Sequence, residues 1–234
     1  MGPQSLYAVV SSGEVAFAVG LSLVTSLPAA GAAVLAGIPI AYALSRYRFK
    51  GKNVVETLLM LPFAMPPIAL GASLLIFFTN TWPGILLNNI ISIVFEVPGL
   101  VVAQFTVVLP MVVKVLKSSF DMIDVKYEAV ARTLGCGRLS TLFRVLLPMS
   151  KAGLASAFIL GFSRALGEFG ASVTLAGATR FKTETLPIAI YLTLSSGDVK
   201  VTVALIIVIV LIAFTTLLAM HVVSSKGSGR ADAL

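Results

Sequence analysis

The sequence predicts an all-α, polytopic membrane protein, and three observations carry that prediction. Hydrophobic residues fill 58% of the 234 positions and charged residues 12%, whereas about a quarter of a soluble domain is charged. The charges are segregated: none falls within residues 15–45, 57–95, 97–113 or 201–225. Runs of about 20 apolar residues cross the roughly 30 Å of bilayer hydrocarbon as helix. The polar stretch 127–148, YEAVARTLGCGRLSTLFRVLLP, breaks this pattern with three arginines and one acid.

One transmembrane domain covering 1–234 is expected, with five spans at about 15–44, 55–78, 98–116, 142–177 and 200–223. Lysine and arginine in short loops mark the cytoplasmic side. Thirteen basic residues fall on one side under this assignment, in the loop from Arg46 to Lys52, around the third connection, and at Lys226 and Arg230. Only Arg180, Lys182 and Lys200 fall on the other side. The N-terminus is then external and the C-terminus cytoplasmic, in a cell membrane. Two shorter apolar pieces, 84–95 and 185–194, read as re-entrant or interfacial elements, because 12 helical residues reach only about 18 Å. The first residues lack a basic region ahead of the apolar run, which argues against a cleaved signal peptide and for a retained first span.

Small residues recur every fourth position at Ala29, Ala33, Gly37 and Ala41, and at Gly153, Ala157, Gly161 and Ala165. Each set makes one smooth helix face against which a neighbour can pack closely. Pro28, Pro39, Pro62, Pro66, Pro67 and Pro110 lie within spans, where each frees a carbonyl and invites a kink.

Several activities are excluded. No GxxxxGK[ST] phosphate cradle exists, one histidine (His221) allows no Ser/His/Asp set, and clustered metal ligands are lacking. The chain is therefore read as non-catalytic, with no cofactor or metal of its own. Cys136 is the single cysteine and suits a turn. The net charge of +7 reflects membrane topology, since no nucleic-acid recognition motif accompanies it.

Asp124 is a suitable N-cap, followed by helix formers through Leu134 and by Gly135, suited to a left-handed stop. A helix over 125–134 is expected, with Glu128 and Arg132 paired four residues apart in the favourable order. It is too polar and too short to span, and on pattern alone it equally fits a solvated surface helix. Arg164 and Glu168 share this spacing inside the fourth span, near the bilayer midplane, where an unpaired charge costs about 3 kcal/mol or more. They either pin helices together or line a water-filled path with a compensated positive charge.

Ala129-Val130-Ala131, Gly135 and Leu147-Pro148 resemble the EAA signature of ABC importer permeases. IDVKYEAVARTLG (123–135) and RALGEFGA (164–171) are similar to segments of molybdate permeases, as are the FKGK loop at 49–52, LPxxxPP at 61–67, and Thr185-Leu186-Pro187 with Tyr191. This chain departs from the signature by placing its acid at Glu128, one position early, with Ala129 and Val130 in the places of the glutamate and first alanine. The resemblance implies a MetI-like permease fold with a coupling helix at about 124–135, docked on a cytoplasmic ATPase. Asp124, Tyr127, Glu128, Ala129, Arg132, Gly135, Leu147 and Pro148 would form that coupling region, and Arg164, Glu168, Phe169 and Gly170 the path or its pins. It further implies a second copy of the chain, two ATPase subunits that bind ATP and magnesium, and an extracytoplasmic molybdate-binding protein. Molybdate or tungstate is the expected cargo, with sulfate or another tetrahedral anion as alternative. A self-sufficient channel or carrier, or a scaffold without transport, are the readings outside this class.

Overall fold

The computed structural model describes residues 13–228, together with the side chains through Leu218. Arg230 and the ends of the chain lie outside the described residues, as do the side chains of His221 and Lys226. Eleven helices and no strand occur among the described residues: α1 (Gly13–Arg46), α2 (Lys52–Ala64), α3 (Pro67–Asn80), α4 (Trp82–Ile91), α5 (Val97–Asp121), α6 (Val125–Thr133), α7 (Arg138–Met149), α8 (Lys151–Leu166), α9 (Gly170–Ala176), α10 (Leu186–Ser195) and α11 (Val199–Ser228). By length and composition α1, α5 and α11 can each cross a membrane, and five spans result if the bent pairs α2–α3 and α7–α8 each count as one.

Helix α5 is the axis of the bundle. Its Val108, Val112, Val113, Leu116 and Phe120 are buried with Ala33, Ala41 and Leu44 of α1 and with Leu142, Leu146, Ala157 and Ala165 of α7 and α8. Both small-residue rows face this helix: a Cβ at Gly37 would meet Leu116 and Val112 at 3.1 and 3.2 Å, and one at Gly153 would overlap Ser119. Between helices in lipid there is no hydrophobic driving force, so close backbone approach and dispersion contacts hold the pair. Helix α11, by contrast, is largely unburied along its apolar length and sits at the periphery against α8 and α10.

Prolines do not act uniformly. Helix α1 runs unbroken through Pro28 and Pro39, and α5 through Pro110. The second span turns by 107° between α2 and α3, where Met65 is extended and Pro66-Pro67 opens the next helix. The segment expected as one span, 142–177, is instead three helices. A 77° bend separates α7 from α8 at Ser150, and Gly167 to Phe169 separates α8 from α9. Pro148 accounts for the first break, because it has no N–H to give Arg144 and its ring collides with that carbonyl; the preceding turn, Leu142–Leu146, widens into π-helix.

Peptide groups freed at membrane depth must be buried in protein or line a cavity, and here the breaks cover one another. Gly71 of α3 lies so close to α9 that an added Cβ would sit 2.8 Å from both the Ala171 carbonyl oxygen and its Cα; Gly170 would meet Pro67 at 2.8 Å. Gly71→Ala therefore has to push α3 and α9 apart and is expected to cost about 1–3 kcal/mol. Gly20→Ala, with nothing within 4 Å, should leave thermal unfolding of the purified permease unchanged. Equal unfolding midpoints for the two variants would contradict this packing.

Candidate coupling helix and intramembrane ion pair

Helix α6 is capped at both ends as its sequence dictates. Asp124 Oδ1 accepts the Lys126 N–H at 2.9 Å, and this bond holds the exposed carboxyl below the usual carboxylate range. At the other end Gly135 has φ +86°, Gly135 N–H donates to the Arg132 carbonyl and Cys136 N–H to that of Ala131, both at 3.0 Å. These are the two bonds of a Schellman stop.

The two faces of α6 differ. Glu128, expected to pair with Arg132 on the surface, is 2% exposed. Its Oε1 receives Arg46 Nε at 2.5 Å and its Oε2 the Tyr42 hydroxyl at 3.4 Å, while Arg132 Nη2 stands at 3.9 Å. Arg46 also donates to the Ile123 carbonyl at 3.0 Å, so the last turn of α1 grips both the start of α6 and its buried acid. Sequence reasoning counted Arg46 only as a topology charge and missed Tyr42; neither has a local signal linking it to a residue 82 or 86 positions away. Tyr127, Val130 and Leu134 occupy the opposite face, 55%, 59% and 80% exposed, with Asp124, Ala129, Arg132 and Gly135 also exposed. Leu147 packs against the main core and Pro148 is exposed.

Deep in the bundle, Arg164 Nη1 donates to Glu168 Oε2 at 2.6 Å. The pair does not share a helix face, as expected from its spacing, because α8 ends at Leu166. The chain turns at Gly167, and the other Glu168 oxygen accepts the Ala171 N–H at 3.0 Å, serving the start of α9. Glu168 is buried, whereas the Arg164 side chain is one-third exposed and lines a cavity of about 270 Å³ with Pro62, Phe63, Met65, Pro67 and Val107. That cavity opens where α2 gives way to α3. Phe169 packs against Tyr191 of α10 with the rings tilted by 46° and their centroids 5.3 Å apart, and a Cβ added at Gly170 would meet Pro67 and Ile68.

At the far end from α6, the loop between α9 and α10 folds back on α1. Ser22 Oγ accepts the Leu186 N–H at 2.7 Å, Phe181 packs on Phe17, and Arg180 approaches Glu14 at 3.7 Å. Glu184 is fully buried, with Oε2 accepting the Phe181 N–H at 2.9 Å. Burial pushes its carboxyl above the ordinary 4.5, aided by Glu14 against the pull of Phe181 N–H and Arg180.

Two outcomes follow from these contacts. Glu128→Lys sets a third cation against Arg46 and Arg132 and should cost about 3–5 kcal/mol in unfolding free energy; an Arg46→Met, Glu128→Leu double variant should recover most of it. For Glu184, a folded-state pKa raised above the unfolded one gives stabilisation that is complete below about pH 4.5 and lost as pH rises through the raised value. The thermal unfolding midpoint of the purified permease should thus carry a component that is higher at about pH 4 than at about pH 7. Glu184→Gln should flatten that difference.

Comparison with known proteins gives one answer. Residues 33–226 match the family model of the binding-protein-dependent transport system inner membrane component. A Haloferax volcanii protein named "Probable molybdenum ABC transporter permease protein" is 35% identical over 96% of this chain and 81% of its own length. The molybdenum transport system permease ModB of Haemophilus influenzae is 33% identical over 73% of this chain and 72% of its own. The sulfate permease CysT of Salmonella typhimurium is 30% identical over 93% and 79%. Among solved structures, a bacterial alginate ABC transporter complexed with its pentasaccharide-bound periplasmic protein superposes with TM-score 0.75 at 17% identity, covering 97% of this chain and 83% of that one. The two broken spans and the capped polar helix thus belong to a shared all-α membrane fold, and the chain is a member of the binding-protein-dependent transport system inner membrane component family.

Proposed function

We propose that this chain is the permease subunit of an ATP-driven importer that moves molybdate, and tungstate as its close analogue, into the cell. The observation that carries the coupling role is the two-sided character of α6. Its acid is locked inward on Arg46, while Tyr127, Val130 and Leu134 form an apolar stripe facing out from a polar helix. An exposed apolar stripe on a water-soluble element marks a protein partner.

In this reading the end of the bundle carrying Arg46 and α6 is cytoplasmic, the N-terminus is outside and the C-terminus inside. Two copies of the chain assemble with two ATPase subunits, which hold ATP and magnesium and receive α6. The opposite end, with α4 and the loop before α10, faces an extracytoplasmic binding protein that delivers the anion. Nucleotide and anion drive transport only if each binds one conformation better than the other.

The Arg164 guanidinium suits an anion path better than a storage site. Its charge is compensated by Glu168 at 2.6 Å yet one-third exposed to a cavity. Conduction needs a path attractive enough to enter and weak enough to leave.

Molybdate as cargo is supported by the names of the relatives, and the sulfate permease among them favours sulfate as the second reading. Reconstitution of permease, ATPase and binding protein in liposomes separates these readings. Uptake of molybdate that requires ATP, and that tungstate competes far better than sulfate, supports the proposal. Sulfate competing equally would favour the second reading, and uptake by the permease alone would point to a self-sufficient channel or carrier.

In the same assay Gly135→Pro should lower uptake by more than about tenfold, the effect of losing about 1.4 kcal/mol of coupling. Proline cannot adopt the φ of +86° or donate the Gly135 N–H. Normal uptake by a correctly inserted Gly135→Pro protein would refute the coupling assignment.

A further inference from the structure

Beside α6, at the same end of the bundle, lies a cavity of about 430 Å³ that the transport reading does not use. Six cations line it: Arg46, Arg48, Lys52, Lys117, Arg132 and Arg138. Three carboxylates face them: Glu128 and Asp121 line the chamber itself, and Glu56 stands 4.0 Å from Lys52 and 3.9 Å from Lys117. Glu128 is held by Arg46, and Asp121 accepts from Ser45 at 2.5 Å and from Lys117 at 3.1 Å. No carboxylate among the described residues lies within 4.0 Å of Arg48 or Arg138; Arg138 instead sits over the Tyr47 ring, 5.9 Å from its centroid.

The cavity adjoins a second hollow of about 530 Å³, which shares Lys117 and Asp121 with it and is lined by Leu44, Leu59, Met60 and Val113 together with Glu56 and Lys114. The apolar wall of this hollow comes from Leu44 of α1, Leu59 and Met60 of α2 and Val113 of α5, while the basic cavity starts where the charge-free run of α1 ends at Ser45. A positive chamber at the edge of the apolar run of α1 thus lies beside a trough with an apolar wall.

We propose that this composite hollow binds one anionic phospholipid, its phosphate among Arg48, Arg138 and Lys52 and an acyl chain along Leu59 and Met60. A free oxyanion would use the chamber but leave the trough without purpose. A zwitterionic lipid would fill the trough but bring its own cation to a chamber where cations already outnumber carboxylates. The bound headgroup bridges the loop after α1 to the start of α7, and so braces α6 beside the Glu128 clasp, which lines the same chamber. The inference needs only the membrane fold and stands whatever the transported anion.

Native mass spectrometry of the full-length permease, titrated with phosphatidylglycerol or phosphatidylcholine, tests it. The wild type should retain phosphatidylglycerol in preference. An Arg48→Ala, Arg138→Ala double variant should bind it about 25-fold more weakly, about fivefold for each guanidinium near an anionic headgroup. Both arginines are exposed, so the fold should survive, and Arg48→Lys, Arg138→Lys should restore most of the affinity. Arg180→Ala, Lys182→Ala, at the other end of the bundle, should change nothing.

Equal retention of the two lipids, or undiminished binding by the alanine double variant, overturns the proposal. So does displacement by micromolar inorganic phosphate or molybdate, which would make the chamber a free-anion site. Exclusion of the lipid by added ATPase subunit would assign the surface to a protein partner and overturn it equally.

Discussion

The carboxylate of Glu128 is the constraint on which the working end of this molecule rests. An acid that is 2% exposed is tolerated because Arg46 reaches it at 2.5 Å and Tyr42 closes its other side. Such a pair is weak evidence for net stability, since desolvation consumes most of the Coulomb gain; removing one partner is what costs several kcal/mol. Its value is positional. With Glu128 fixed to the last turn of α1, the nine-residue helix α6 cannot roll, and Tyr127, Val130 and Leu134 are held outward. An isolated helix of this length would be marginal in water, so the clasp, with the Asp124 cap and the Gly135 stop, is what makes it a rigid element.

A second constraint works in the apolar part. Peptide groups freed at Met65–Pro66 and at Gly167–Phe169 have no water to turn to, so the two breaks are stacked against each other. Gly71 and Gly170 permit the backbone approach, and Glu168 satisfies both the Ala171 N–H and Arg164. The same carboxylate thus serves the start of a helix and neutralises Arg164. The two partners differ in exposure: Glu168 is buried, while the guanidinium it holds faces the cavity.

Much of this was legible in the sequence, and the unread part has a common physical cause. Segregated charge gave the class of fold, and the Asp124 and Gly135 signals bounded α6 to within a residue, because caps are local. The small-residue rows were readable as close-packed faces for the same reason. What escaped were contacts set by tertiary packing. Arg46 and Glu128 lie 82 residues apart, and nothing in the spacing of Glu128 distinguishes Arg132, the local partner, from Arg46, the real one. Continuous hydropathy over 142–177 concealed two breaks, since apolar composition reports solvent and not backbone direction. Pro148 carried a signal for the first of them; for the second, Gly167 and Gly170 around a lone acid were the only trace.

The clasp and the stacked breaks are joined by one covalent run. From the Schellman stop of α6 the chain enters α7, whose Leu142 and Leu146 are buried against α1 and α5; it bends at Ser150 and continues as α8 to Arg164. Helix α6 is thus tied to α1 through a side-chain pair and to α8 through the backbone. A load on its exposed stripe has two outlets. Moving along α1 means shearing a close-packed row in which even a Cβ added at Gly37 would stand only 3.1 Å from the Leu116 side chain of α5. Moving along α7 meets the π-turn and the Ser150 bend, where Pro148 has already removed the hydrogen bond that would resist rotation. Displacement is least opposed where the ladder is already open, which makes the α7–α8 bend the point that yields and α1 the frame against which it works.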